Sequence, residues 1–100
     1  MSGQLGLHPE TGELVEGGTA AELRQALVNA SAVLAEAGAT LSDVVKATIF
    51  ILDMNDFAAC NEVWLDALSE PLPTRSTVAV AELPRRAKAE AEFWAYKPEN

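Results

Sequence analysis

Between residues 20 and 37 apolar side chains return every three or four positions. Leu23, Leu27, Ala30, Leu34 and Ala37 fall on one face, Val33 stands beside them, and Gly38 closes the run. That spacing predicts an amphipathic helix over about 20–37. Thr19-Ala-Ala-Glu22 in front of it reads as a capping box, with the Thr19 side chain on the N3 amide and Glu22 reaching back. The stretch VVKATIFIL at 44–52 is β-branched and apolar enough to predict a strand buried on at least one face. A second helix follows over about 56–68, capped by Asp53 or Asn55, with Phe57, Cys60, Trp64 and Leu68 on one side. Pro71 and Pro73 end it and lead extended chain into Arg75.

Two further stretches read as strands. SGQLGL at 2–7 leaves through the turn-like HPETGE, and PTRSTVAVAELP at 73–84 reads as a buried strand in which Val78 and Val80 alternate with small residues. The last segment, AKAEAEFWAY at 87–96, divides by parity. Ala89, Ala91, Phe93 and Ala95 make a small apolar face suited to lie under helices, while Glu90, Glu92, Trp94 and Tyr96 make the other. Two large aromatics in line with two acids are unusual on a solvent face, so a second subunit is expected to cover them. An exposed mixed edge strand is the plainer alternative.

Composition narrows the chemistry. One hundred residues, 49% apolar, are enough for one globular domain, and a domain this small gains from self-association. No apolar run approaches the roughly 20 residues that span a bilayer, and no signal-peptide pattern opens the chain, so the expectation is a cytoplasmic protein with no membrane partner. Cys60 is the only cysteine and His8 the only histidine, which leaves no internal disulfide and no cysteine- or histidine-based metal cluster. Cys60 reads as core, and His8 as a solvated turn residue. The formal net charge is −8, and the basic residues form no stripe interleaved with aromatics. Nucleic acid, whose affinity comes mostly from phosphate neutralisation, is therefore a disfavoured partner. Arg75, at the mouth of an apolar strand, asks instead for a small anion.

SGQ with PETGE at 2–13, VVKATIFILDMNDFAACNEVW at 44–64, PTRSTVAVAELP at 73–84 and the glutamate-rich strand at 87–92 together resemble the Rid family, the reactive-intermediate deaminases. The resemblance runs over essentially the whole chain. It implies one α+β domain over 1–100, a small twisted mixed sheet with two helices on one face (the chorismate-mutase-like Rid fold), assembled as a homotrimer with clefts between subunits. It also implies hydrolytic deamination of reactive enamines and imines of the 2-aminoacrylate type to 2-keto acids and ammonia, with no metal and no organic cofactor.

The same resemblance carries roles to particular residues. Arg75 matches the arginine that binds the substrate carboxylate, and a planar guanidinium suits that task because two parallel N–H donors fit two oxygens. Glu90 matches the catalytic glutamate that orients or activates water. Gly3 matches a close backbone contact to substrate, Thr77 stands where many members have a cysteine whose amide holds the carboxylate, and Asn61 matches a polar residue at the cleft margin or is a helix-surface asparagine. Glu92 lies on the face of Glu90, and two neighbouring carboxylates raise one another's pKa. The chain differs from typical members in Thr77 and in the alanines flanking Glu90, and, set against the resemblance, the family's usual first strand before SGQ is expected to be missing from residues 1–100. Two other functions are open: a non-catalytic trimeric protein that binds small carboxylates through Arg75, and, against the acidic charge, an endoribonuclease or translation inhibitor.

Overall fold

The computed structural model describes residues 3–70 and 72–96, so Ser2 and Pro71 lie outside the described residues. The elements run β1 (Gln4–Leu5), α1 (Thr19–Glu36), β2 (Val44–Ile51), α2 (Phe57–Ala67), β3 (Thr74–Ala79) and β4 (Ala89–Ala95). They form a mixed four-stranded sheet in the order β1-β4-β2-β3, the α+β architecture expected. β2 and β3 are parallel, and α2 supplies the crossover that a parallel pair requires. β4 runs antiparallel to both β2 and β1.

Both helices cover the same side of the sheet. Ala47, Ile49 and Ile51 of β2 and Ala89, Ala91 and Phe93 of β4 are buried there against Leu23, Leu27, Ala30 and Leu34 of α1 and Cys60, Val63 and Trp64 of α2. The Trp64 and Phe93 rings stack at 6.3 Å between centroids. Fully burying each of the larger side chains here, the leucines, isoleucines, Val63 and Phe93, contributes about 1.5–3 kcal/mol, and each alanine less, so this single layer of contact holds the fold. Cys60 packs in the core, where burial and then the charge of Asp56 push its thiol pKa up; Arg75 pulls it the other way and loses. His8 is exposed, in a turn closed by Gly12 N–H to the His8 carbonyl and by His8 N–H to the Glu13 carbonyl.

Several expectations need correction. The capping box does not form. Gly18 is the N-cap, so Thr19 falls at the first helical position; its hydroxyl donates to Asp56 Oδ2 at 2.9 Å, and the Glu22 side chain accepts the Lys88 N–H at 2.8 Å. Tertiary partners outcompete the local ones. The 73–84 strand is not buried within the protomer: β3 is the sheet edge, and Val78 is 41% exposed. Ala95, the last residue of β4, is likewise exposed; it lies opposite Val44, where the β2–β4 register shifts between Val44 and Lys46. Neither cap candidate caps α2: its N-cap is Asp56, which makes no side-chain cap bond, and Asp53 instead caps the short 3-10 turn Met54–Asp56 by accepting the Asn55 N–H at 2.9 Å.

The turn Pro84–Arg86 that delivers the chain into β4 carries φ near 60° at both Arg85 and Arg86. A side chain in that region costs roughly 1–2 kcal/mol, against roughly 0.5–1 kcal/mol for the extra freedom of an unfolded glycine. Arg85 Nη2 donates to the Gly12 carbonyl at 2.7 Å, so its side chain has structural work. Arg86→Gly should therefore raise stability by about 0.5–1 kcal/mol, seen as a Tm higher by a few degrees. An unchanged or lower Tm would mean that the Arg86 side chain contributes more than its backbone costs.

Candidate active site

Parity and register place the two charged candidates. Arg75 sits in the row of Ala47 and Phe93, whose side chains face the helices. Its guanidinium lies 5.5 Å from the Phe57 ring centroid and 5.6 Å from that of Trp64, within reach of a cation–π interaction with both. Its Nη1 donates to Asn61 Oδ1 at 2.8 Å. Phe57, Asn61 and Trp64 stand at i, i+4 and i+7, so one stripe of α2 builds the whole cradle. The partner is a neutral amide, which holds the guanidinium without cancelling its charge and leaves further N–H donors for a ligand.

Thr77 lies two residues on, half-buried, on the same side as Arg75. Val80 donates its N–H to Ile51 O, so by strand alternation the N–H groups of Thr77 and Arg75 point away from β2 to the open edge of the sheet. A guanidinium and an outward amide thus share one corner. The recess there, lined by Asn61, Trp64, Leu65, Leu72, Pro73 and Arg75, holds about 230 Å³. Ordinary ligand pockets hold roughly 300–1,000 Å³. A larger hollow of about 460 Å³ lies beside α1, bordered by Arg24, Leu27, Val28, Ala32 and Leu41.

Glu90 occupies the opposite side. It pairs with Phe50 of β2 and Leu5 of β1, and its half-buried carboxyl projects from the face the helices leave open. Gly3 lies against it: an added Cβ would come within 2.8 Å of the Glu90 carboxyl carbon and closer still to Oε1. Burial first, and the charge of Glu92 second, raise the Glu90 carboxyl above its ordinary pKa. Further along the same face Trp94 is 63% exposed, with Lys46 Nζ 5.8 Å from its ring, and Tyr96 is 67% exposed. Arg75 and Glu90 are three rows and two strand spacings apart, about 14 Å by strand geometry, on opposite faces of the sheet. The fold brings together Arg75 with Asn61 and Thr77, and separately Glu90 with Gly3. Phe57 and Trp64, placed by sequence only on one side of the second helix, are walls of the Arg75 corner, and their spacing with Asn61 was the available signal.

Among the described residues no group of three or more His, Cys, Asp or Glu could hold a metal ion, and no helix is long and apolar enough to cross a membrane.

Residues 1–97 match the family described as Endoribonuclease L-PSP. The chain belongs to this family, the Rid family. Curated Rid relatives named 2-iminobutanoate/2-iminopropanoate deaminase include one from Dermatophagoides farinae, 48% identical over 92 residues that make up 92% of this chain and 72% of the relative. The human deaminase is 40% identical over 92 residues, covering 92% of this chain and 67% of its own. Among solved Rid structures, RidA from the Antarctic bacterium Psychrobacter sp. superposes with TM-score 0.93 at 45% identity, over 97% of this chain and 78% of that one. TdcF of E. coli with bound serine superposes with TM-score 0.88 at 40% identity, over 97% and 78%.

The Gly3–Glu90 contact has a direct consequence. A methyl group at residue 3 meets the far end of a flexible side chain, so Gly3→Ala should move the carboxyl and leave the fold standing. Activity should fall by about tenfold or more, with Tm little changed. Equal loss of both would assign Gly3 to folding alone.

Proposed function

We propose that this protein hydrolyses reactive 2-imino acids and their enamine tautomers to 2-keto acids and ammonia, in clefts completed between copies of the chain. The observation that carries this is the separation of Arg75 and Glu90 onto opposite faces of one sheet. A three-carbon imino acid is far too short to span about 14 Å through a sheet. It can meet both groups when the Arg75 edge of one protomer stands against the open Glu90 face of the next. The half-sized recess at Arg75 and the exposed Trp94 and Tyr96 beside Glu90 suit that closure, and a homotrimer is the arrangement inferred from the family. The names of the deaminase relatives, and the serine bound to one structural relative, support a small substrate carrying an α-carboxylate.

In this reading Arg75 and the Thr77 N–H hold the carboxylate, and Asn61, Phe57 and Trp64 keep the guanidinium in place. Water must add to C2 of the imine, losing a proton as it does so. The nitrogen must gain protons before it leaves as ammonia. One carboxyl can perform both transfers, as base toward water and then as acid toward nitrogen, and the raised pKa, from burial first and Glu92 second, favours the protonated form that the second transfer needs. Gly3 leaves that carboxyl room against the backbone. The residues 1–100 act as one such unit, without metal or cofactor, and the acidic charge of −8 disfavours RNA as substrate.

The test is keto-acid release when a serine dehydratase supplies fresh 2-aminoacrylate. Wild type should exceed the uncatalysed background. A folded, oligomeric protein that gives background rates, yet binds small carboxylates through Arg75, would establish the non-catalytic binding reading instead.

A further inference from the structure

Glu22 is a carboxylate 3% exposed in the first turn of α1, and the reaction as described makes no use of it. Its Oε1 accepts the N–H of Lys88, the residue two before Glu90 on the way into β4. The same residue's backbone is the surface on which the first strand lies: a Cβ on Gly6 would fall 2.6 Å from Glu22 Cα and 2.9 Å from its carbonyl carbon. Gly6 is three residues from Gly3, which abuts Glu90. Further along α1, Gln25 Nε2 donates to Asn29 Oδ1 at 2.9 Å, and Asn29 Nδ2 donates to the Leu5 and Leu7 carbonyls at 3.1 and 2.8 Å. Residues 22, 25 and 29 stand at i, i+3 and i+7, one stripe of the helix. Half of that stripe grips the entry to β4 and half grips β1, the two segments that must meet for Gly3 to touch Glu90.

We infer that Glu22 is a positioning residue of the deaminase site, setting through Lys88 N–H and Gly6 the approach of Gly3 to the Glu90 carboxyl, with Asn29 as the second anchor on β1. The inference rests on Glu90 being the acid–base group. Burying a carboxylate is costly unless its hydrogen bonds are made, so this acceptor is a specific feature of the fold and not an incidental surface charge. Arg75 is bound to a different helix and a different edge of the sheet. Loss of the Glu22 bond should therefore disturb turnover and spare carboxylate binding.

The experiment compares Glu22→Gln, Glu22→Ala and Asn29→Ala with wild type, reading kcat and KM for imine hydrolysis, Tm, and the carboxyl titration of Glu90 by 13C NMR. Glu90 is assigned by the signal missing from Glu90→Gln. Glu22→Gln keeps the acceptor oxygen and should retain wild-type kcat and titration. Glu22→Ala and Asn29→Ala should lower kcat by about tenfold with KM within about twofold, because a misplaced acid–base group loses rate before binding. In both, the Glu90 midpoint should fall toward that of an ordinary carboxyl, Glu92 remaining as its titratable neighbour. If Glu22→Ala does not fold, Asn29→Ala decides. Folded variants with unchanged kcat and an unchanged Glu90 titration overturn the inference. If wild type itself hydrolyses no imine, the proposed function fails, while the NMR titration still decides whether Glu22 positions Glu90.

Discussion

Glu90→Gln is expected to lower keto-acid release by about 10²–10⁴-fold, the range for removing a positioned general acid–base group. The replacement has the same shape and keeps a hydrogen-bonding end, but it can neither take a proton from water nor give one to nitrogen. Stability should move in the opposite direction. The folded Glu90 carboxyl has a raised pKa, through burial first and Glu92 second, so between the ordinary and the raised pKa the folded state binds more protons than the unfolded one. Stability then falls as pH rises through that window, and the loss is complete above the raised value. Glutamine has no charge to desolvate. Glu90→Gln should match wild type in acid below the ordinary carboxylate range and equal or exceed it in Tm at neutral pH. A variant both inactive and less stable at neutral pH would mean that the glutamate was holding structure.

Arg75→Ala is expected to lower kcat/KM by about 10–100-fold, the rate equivalent of a charge-assisted contact of roughly 1.5–3 kcal/mol. Most of the loss should appear in KM, because the substrate carboxylate is bound alike in the ground and transition states. Arg75→Lys should recover only part. A lysine cannot present two parallel donors to a carboxylate, and it forfeits the flat fit between Phe57 and Trp64. Asn61 would also lose the partner it now accepts from. Full recovery in Arg75→Lys would show that charge alone, and not the shaped corner, holds the substrate.

Much of this was legible in the chain. The 3.6-residue period gave both helices to within a residue or two, and the parity of 87–96 correctly separated Ala89, Ala91 and Phe93 from Glu90, Glu92 and Trp94. What failed had a common cause. Thr19 and Glu22 match a local capping motif, yet their side chains take partners 37 and 66 residues away, which no local pattern encodes. The alternation in 73–84 announces a strand but not its place at the sheet edge, so Val78 was misread as buried. The site divides the same way. Arg75 and Glu90 could be picked out singly from their motifs, but their opposite faces follow from the β3–β2–β4 register, which sequence parity within each strand does not supply.

The central claim is that Arg75 of one protomer and Glu90 of another serve one substrate. It is tested most directly by mixing subunits. Arg75→Ala and Glu90→Gln chains, each strongly reduced in kcat/KM alone, are co-refolded in equal amounts and assayed for keto-acid release at substrate concentrations below the wild-type KM. A cleft is intact when its arginine comes from a Glu90→Gln chain and its glutamate from an Arg75→Ala chain, about one cleft in four in a random assembly. The account predicts recovery of about a quarter of wild-type activity. Mixed oligomers that form but stay at background would contradict it, and would require both groups to act from the same chain.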